Sequence, residues 1–76
     1  VDEALERLIA YIDDAIMVNA GEVIILHGTG TGALKQLTRD YLQNLNHQRR
    51  KRGQETLQYG DGDVNHGGAG ITMVTI

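Results

Sequence analysis

Between Val23 and Leu34 the chain reads Val-Ile-Ile-Leu-His-Gly-Thr-Gly-Thr-Gly-Ala-Leu, and few folds accommodate such a stretch. Val23 to Leu26 is a short apolar run rich in β-branched residues, which reads as a buried strand ending at His27. Gly28, Gly30 and Gly32 then alternate with Thr29 and Thr31, and a helical pattern opens at Ala33. A strand feeding a helix through such a turn exposes backbone N–H groups at the positive end of the helix dipole. The stretch therefore predicts an anion site, phosphate above all, with His27 beside it.

The rest of the chain arranges itself around this turn. Upstream, Leu5, Leu8, Ile9, Ile12, Ala15 and Ile16 fall at helical spacing, predicting an amphipathic helix from residue 2 to about 20, with Asn19-Ala20-Gly21 as its stop and Gly21 left-handed. Downstream, Leu34, Leu37, Tyr41, Leu42 and Leu45 mark a second helix from Ala33 to about Asn46. His47 to Gly53 reads as a charged linker, Thr56 to Tyr59 as a short strand and Gly60 to Gly70 as a loop. Ile71 to Ile76 reads as a strand with one covered face. The order α-β-α-β-β predicts an α+β fold, a two-layer sandwich with two helices on one face of a small sheet. Because residue 1 lies almost inside the first helix, an upstream element is expected to be missing.

At 76 residues a single domain spanning 1–76 is expected. The absence of cysteine excludes a disulfide framework or thiolate metal site and suits a cytoplasmic protein. No apolar run approaches membrane-spanning length, so no membrane partner is expected. Charge is unevenly placed: Asp2, Glu3, Glu6, Asp13, Asp14 and Glu22 lie near the start, and Lys35, Arg39, Arg49, Arg50, Lys51 and Arg52 lie in the middle.

Known phosphate loops fit poorly. A Walker A loop requires a Gly-Lys-Ser/Thr triplet, but Gly32 is followed by Ala33 and Leu34, so ATP hydrolysis here is not expected. Gly28-x-Gly30-x-x-Ala33 matches a dinucleotide fingerprint on paper. The acidic residue required about 20 positions on is replaced by a basic stretch, and a nucleotide-binding domain is the weakest reading. Glycines serving only a tight turn remain an alternative. Asp61, Asp63 and Asn65 copy the first ligand positions of a calcium loop. His66 and Thr72 stand where that loop needs glycine and glutamate, so no metal site is expected there.

Ile25-Leu26-His27-Gly28-Thr29-Gly30-Thr31-Gly32-Ala33-Leu34 resembles the His-Gly-x-Gly-x-Gly-x-Leu signature of the small-MutS-related (Smr) domain. Val1 to Leu5 resembles the opening of that family's first helix, and Gly68 to Val74 its closing Gly-x-Gly-x-Thr strand. The likeness spans nearly the whole chain and is nearest to the domain ending bacterial MutS-like proteins of the MutS-two branch. It implies a β-α-β-α-β-β fold like the C-terminal domain of translation initiation factor three, with the first strand absent from this chain. It also implies binding of DNA or RNA and, in many members, nicking endonuclease activity. The parent protein would be a dimer, with ATP confined to other domains, acting in DNA repair, suppression of recombination or ribosome rescue. The isolated domain would be a monomer without a cofactor. Two departures bear on activity: the Leu-Asp-x-Arg/His motif of the first strand lies upstream, and Thr29 stands where many members carry lysine or arginine. Both departures bear on the activity of this chain and not on the family likeness.

On this reading the backbone of Gly28, Thr29, Gly30, Thr31 and Gly32 holds a phosphate oxygen, with Lys35 one helical turn away. His27 moves a proton at neutral pH, as imidazole can, or only fixes the turn through hydrogen bonds. Arg49, Arg50, Lys51 and Arg52 track a nucleic-acid backbone or form an ordinary solvated connector. No pair of carboxylates is spaced for a two-metal site, so a divalent ion is not called for by spacing. The rival to an enzyme is a non-catalytic module docking nucleic acid or the ribosome.

Overall fold

The apolar stripe of the first segment forms helix α1, Asp2–Met17, in the computed structural model, which describes residues 2–28, 32–63, 65 and 67–76. Leu8, Ile12 and Ala15 are its buried residues. The helix stops earlier than its periodicity predicts because Asn19, the first residue of the expected Asn19-Ala20-Gly21 stop, already takes the left-handed conformation (φ 53°). Asn19 N–H donates to the Ile16 carbonyl and Ala20 N–H to that of Ala15, satisfying carbonyls the helix end would otherwise orphan. Gly21 is also left-handed (φ 84°), and it leads directly into strand β1, Glu22–Leu26.

Helix α2 runs Ala33–Lys51, through the segment expected to be a linker. Nothing between Asn46 and Lys51 breaks a helix, and Arg49, Arg50 and Lys51 place positive charge at the negative end of the dipole. The stop comes at Gly53 (φ 73°). Gly53 N–H donates to Arg50 and Gln54 N–H to Arg49, the same closure that ends α1.

Strand β2, Gln58–Asp61, starts two residues later than expected, because Leu57 has other backbone partners. The Asn46 side-chain amide donates to the Leu57 carbonyl (2.8 Å) and accepts from the Leu57 N–H (2.7 Å). That pairing holds Leu57 against α2, where its side chain is buried. Gly60 and Asp61 thus belong to the strand and not to the glycine-rich loop, whose other end is a single 3-10 turn, η1, Gly68–Gly70. Strand β3, Ile71–Thr75, closes the described chain.

The sheet order is β1-β3-β2, with β3 antiparallel to both neighbours. Val23 and Tyr59 pair with Val74, while Ile25 and Asp61 pair with Thr72. Side chains alternate faces along a strand, so these residues share one face. That face lies under both helices: Val74 joins Leu8, Ile12, Leu42 and Leu57 in the buried core. The α+β two-layer arrangement agrees with the expectation, but the sense of β3 is subtler. Polar Thr72 points to the helices, and Ile71 points away. Ile71 stays buried because its side chain fills the space where Gly62 and Gly67 would carry a Cβ.

Candidate functional site

The register brings the ends of three strands together at the start of α2. His27 follows β1, and the backbone N–H groups of His27 and Gly28 both donate to the Gly70 carbonyl (3.1 and 2.8 Å). The histidine is thereby tied to the entry of β3, beside Thr72. The glycine loop is bounded by Gly28 (φ 73°) and Gly32 (φ 80°). A Cβ at either would meet no atom within 4 Å. Glycine is therefore dictated there by backbone conformation and not by packing, and the space above both residues is open. Thr29, Gly30 and Thr31 lie outside the described residues.

Gly32 caps α2 without a side-chain hydrogen bond, and the first turn carries no acid. It carries Lys35 instead, with Arg39 one turn further on, on the same side of the helix. Both reach Asp61 at the end of β2: Arg39 Nη2 at 2.6 Å and Lys35 Nζ at 3.0 Å, on the same oxygen, Oδ1. The Arg39 guanidinium lies 5.7 Å from the centre of the Tyr59 ring, within cation–π range. Its Nε–H donates to Thr72 Oγ1 (3.2 Å). Thr72 Oγ1 in turn lies 2.8 Å from His27 Nε2, and His27 Nδ1 lies 2.9 Å from the Gly28 carbonyl.

These contacts assign the protons. A carbonyl only accepts, so His27 Nδ1 carries hydrogen and donates to Gly28. In the neutral ring Nε2 is then the acceptor, taking the Thr72 hydroxyl proton, while Thr72 Oγ1 accepts from Arg39. The result is one directed chain, Arg39 to Thr72 to His27 to the Gly28 carbonyl. Thr72 is fully buried at its centre. At the outer end, hydrogen bonds from Lys35, then from Arg39, hold the Asp61 carboxyl below the ordinary carboxylate range.

Of the residues singled out from the sequence, His27, Gly28, Gly32 and Lys35 meet here. Arg49, Arg50, Lys51 and Arg52 do not: they sit at the far end of α2, about 27 Å away at ~1.5 Å per residue. Arg49 is also engaged, its Nε–H donating to the Glu55 carbonyl (2.7 Å). Arg39, Asp61, Thr72 and Tyr59 were not foreseen as site residues. The spacing of Lys35 and Arg39 by four is a usable signal; Thr72 gives none, since the closing strand carries a second threonine, Thr75. Asp61 appeared only as part of a calcium-like pattern. Here its carboxylate faces two cations, and Asp63 accepts from the Asn65 N–H (2.8 Å).

On the other side of His27 an open groove of about 420 Å³ runs between α1 and the β1 edge, lined by Leu8, Tyr11, Ile24, Leu26 and Leu34 among others. Tyr11 crosses it to donate to the Ile24 carbonyl (3.2 Å).

Two helices on one face of a three-stranded antiparallel sheet, with a histidine-glycine turn and a cationic cluster at one sheet end, define a small α+β domain of distinctive topology. The family model described as Smr domain matches residues 1–76, and the chain belongs to that family. It is 41% identical over 75 residues to Endonuclease MutS2 of Bacillus cytotoxicus, covering 99% of this chain and 8% of that protein. With Endonuclease MutS2 of Bacillus thuringiensis the identity is 40% over the same length and coverage. The chain thus spans only a small part of these relatives. Among solved structures, the Smr domain of Thermus thermophilus MutS2 superimposes with a TM-score of 0.75 at 29% identity, covering 97% of this chain and 82% of that one.

Proposed function

We propose that this Smr domain binds nucleic acid by its phosphodiester backbone and, in its parent protein, nicks it. The observation that carries this reading is the continuous polar chain from His27 through Thr72 and Arg39 to Asp61 and Lys35, beside the glycine turn. Two cations and the N-terminus of α2 converge on one place, where they can hold a non-bridging phosphate oxygen and the charge that grows on it during attack. In hydrolysis a water oxygen bonds to phosphorus, one P–O ester bond breaks and the leaving oxygen takes a proton. His27 is the titratable group beside the turn that can move a proton, doing so at Nε2 once the Thr72 hydroxyl releases it. Arg50, Lys51 and Arg52 extend the contact along the backbone. At about 3.4 Å per base pair, the ~27 Å of α2 matches about eight base pairs.

The similarity to proteins named Endonuclease MutS2 supports the nuclease reading. The parent protein is proposed to act as a cytoplasmic dimer in DNA repair, suppression of recombination or ribosome rescue. The domain is proposed to need no cofactor of its own. A second reading has its own observation. Both ring nitrogens of His27 are already engaged in the resting structure, as suits a residue that shapes a docking surface for nucleic acid or the ribosome.

Nicking of supercoiled plasmid and cleavage of structured RNA separate the two. The assay uses this chain and a version extended upstream by its native residues, with and without magnesium. Loss of turnover on His27→Ala with affinity retained is expected of the enzyme. Binding without cleavage by both forms would establish the docking module.

A further inference from the structure

Asp61 is the residue whose presence the proposed function does not explain. An anion site gains nothing from a carboxylate among its cations, yet a single oxygen of Asp61 takes both Lys35 and Arg39, at 3.0 and 2.6 Å. Two roles are open to such a group. It can hold the cations in place for a ligand, or it can occupy them until a ligand arrives.

The geometry separates these roles. Arg39 has two other anchors, the buried Thr72 hydroxyl on its Nε and the Tyr59 ring. Neither carries charge, and neither depends on Asp61. With the carboxylate gone, the guanidinium therefore keeps its place while Nη2 becomes available. Lys35 sits on the first turn of α2, placed by the helix itself. Asp61 is also the outermost member of the cluster: its side chain is half exposed, against about a quarter for Arg39. A group in that position can turn outward to solvent at small cost. Its removal raises the local balance from one net positive charge to two.

Resting on the nucleic-acid reading above, we propose that Asp61 is an internal counter-anion: it occupies Lys35 and Arg39 in the free domain, and an incoming phosphate replaces it. The exchange swaps one anion for another on the same two cations. It therefore lowers affinity for any phosphate backbone and selects for ligands that engage the rest of the surface as well. A site with bare cations would bind every polyanion; one with a resident carboxylate discriminates.

The test measures binding of a fluorescein-labelled DNA duplex by anisotropy over a range of salt. The proteins are wild type, Asp61→Asn, Asp61→Ser, Asp61→Glu, Lys35→Ala and Arg39→Ala, each checked for native fold by its amide NMR fingerprint. Asp61→Asn and Asp61→Ser are expected to bind about threefold tighter or more. Their plots of log affinity against log salt should steepen by about one, as the site then brings two net positive charges to the backbone instead of one. Asp61→Glu, which keeps the charge, should remain near wild type. Equal or weaker binding by Asp61→Asn, with Lys35→Ala and Arg39→Ala both weakened, would overturn the counter-anion and leave the nucleic-acid reading standing. Tightening by Asp61→Glu as well would overturn it too, since charge would not be the cause. If Lys35→Ala and Arg39→Ala leave binding unchanged, or wild type does not bind, the site itself is misassigned and the counter-anion falls with it.

Discussion

His27 Nε2 and Thr72 Oγ1 lie 2.8 Å apart although 45 positions separate them in the chain, and their contact joins the glycine turn to the central strand. Thr72 is fully buried, so its hydroxyl has only His27 and Arg39 to serve. Replacing it by valine keeps the shape and removes the hydroxyl, leaving both partners short of a hydrogen bond in a dry place. Thr72→Val is expected to cost about 1–3 kcal/mol of stability, read by urea denaturation. The hydrogen should stay on Nδ1, which the Gly28 carbonyl fixes, while the nitrogen NMR signal of Nε2 shifts as its donor is lost. An unmoved Nε2 signal would refute the hydrogen-bond chain.

Asn46 makes a separate prediction, one about the fold and not the site. Its amide gives Leu57 both backbone partners, which would otherwise be unpaired beside a buried side chain. Asn46→Ala removes both bonds at once and should destabilise by about 2–4 kcal/mol. Asn46→Asp keeps the acceptor but sets a carboxylate oxygen against the Leu57 carbonyl, and should destabilise as well. If Asn46→Ala melts like wild type, water serves Leu57 as well as the amide does.

Much of this architecture is legible before the structure. Val23 to Leu26 is an apolar run and Ile71 to Thr75 an alternating one, and they are the two strands nearest their expected positions. Strand β1 is nevertheless not the buried strand its composition predicts: Ile24 and Leu26 are exposed. The end of α2 lies beyond the expected Asn46 because charge alone does not break a helix, and the conformational stop is Gly53. The start of β2 could not be read at all, since it depends on a side chain eleven positions away. The site divides the same way. His27, Gly28 and Lys35 follow from local sequence, because one turn positions them. Thr72, Asp61 and Arg39 come together only through the β1-β3-β2 register, and strand order is not written in any one strand.

Stability should bend with pH in two directions. The Asp61 carboxyl is held below its ordinary value of 3.8 by Lys35 and then Arg39. Its contribution is therefore fully present above the ordinary value and is lost as pH falls through the depressed one. Tyr41 behaves oppositely. Burial first, and then the charge of Asp13, raise its phenol above 10.0. That contribution is present below pH 10 and is lost as pH rises through the higher folded value. Thermal melts of Asp61→Asn should lose the acid-side slope assigned to the carboxyl and keep the alkaline one, and Tyr41→Phe should do the reverse. Identical slopes in all three proteins would place the titrating groups elsewhere.

The basic end of α2 yields the last prediction, because helical geometry divides residues that the sequence lists together. Adjacent residues on a helix point about 100° apart, so Arg49, Arg50 and Lys51 cannot form one ridge. Arg49 is already spent on the Glu55 carbonyl, tying the chain after the helix back to its last turn. Arg50, Lys51 and the capping Arg52 are exposed. Arg49→Gln should therefore lower stability, by about 1 kcal/mol, with little change in affinity for a DNA duplex. Glutamine at 50, 51 and 52 together should leave the melt nearly unchanged, weaken binding, and flatten the dependence of log affinity on log salt by up to about three. The combination with Lys35→Ala should add to this, since the two groups stand at opposite ends of the helix and share no partner. A salt dependence unmoved by the triple change would confine nucleic-acid contact to the glycine turn and make the far end of α2 an ordinary solvated cap.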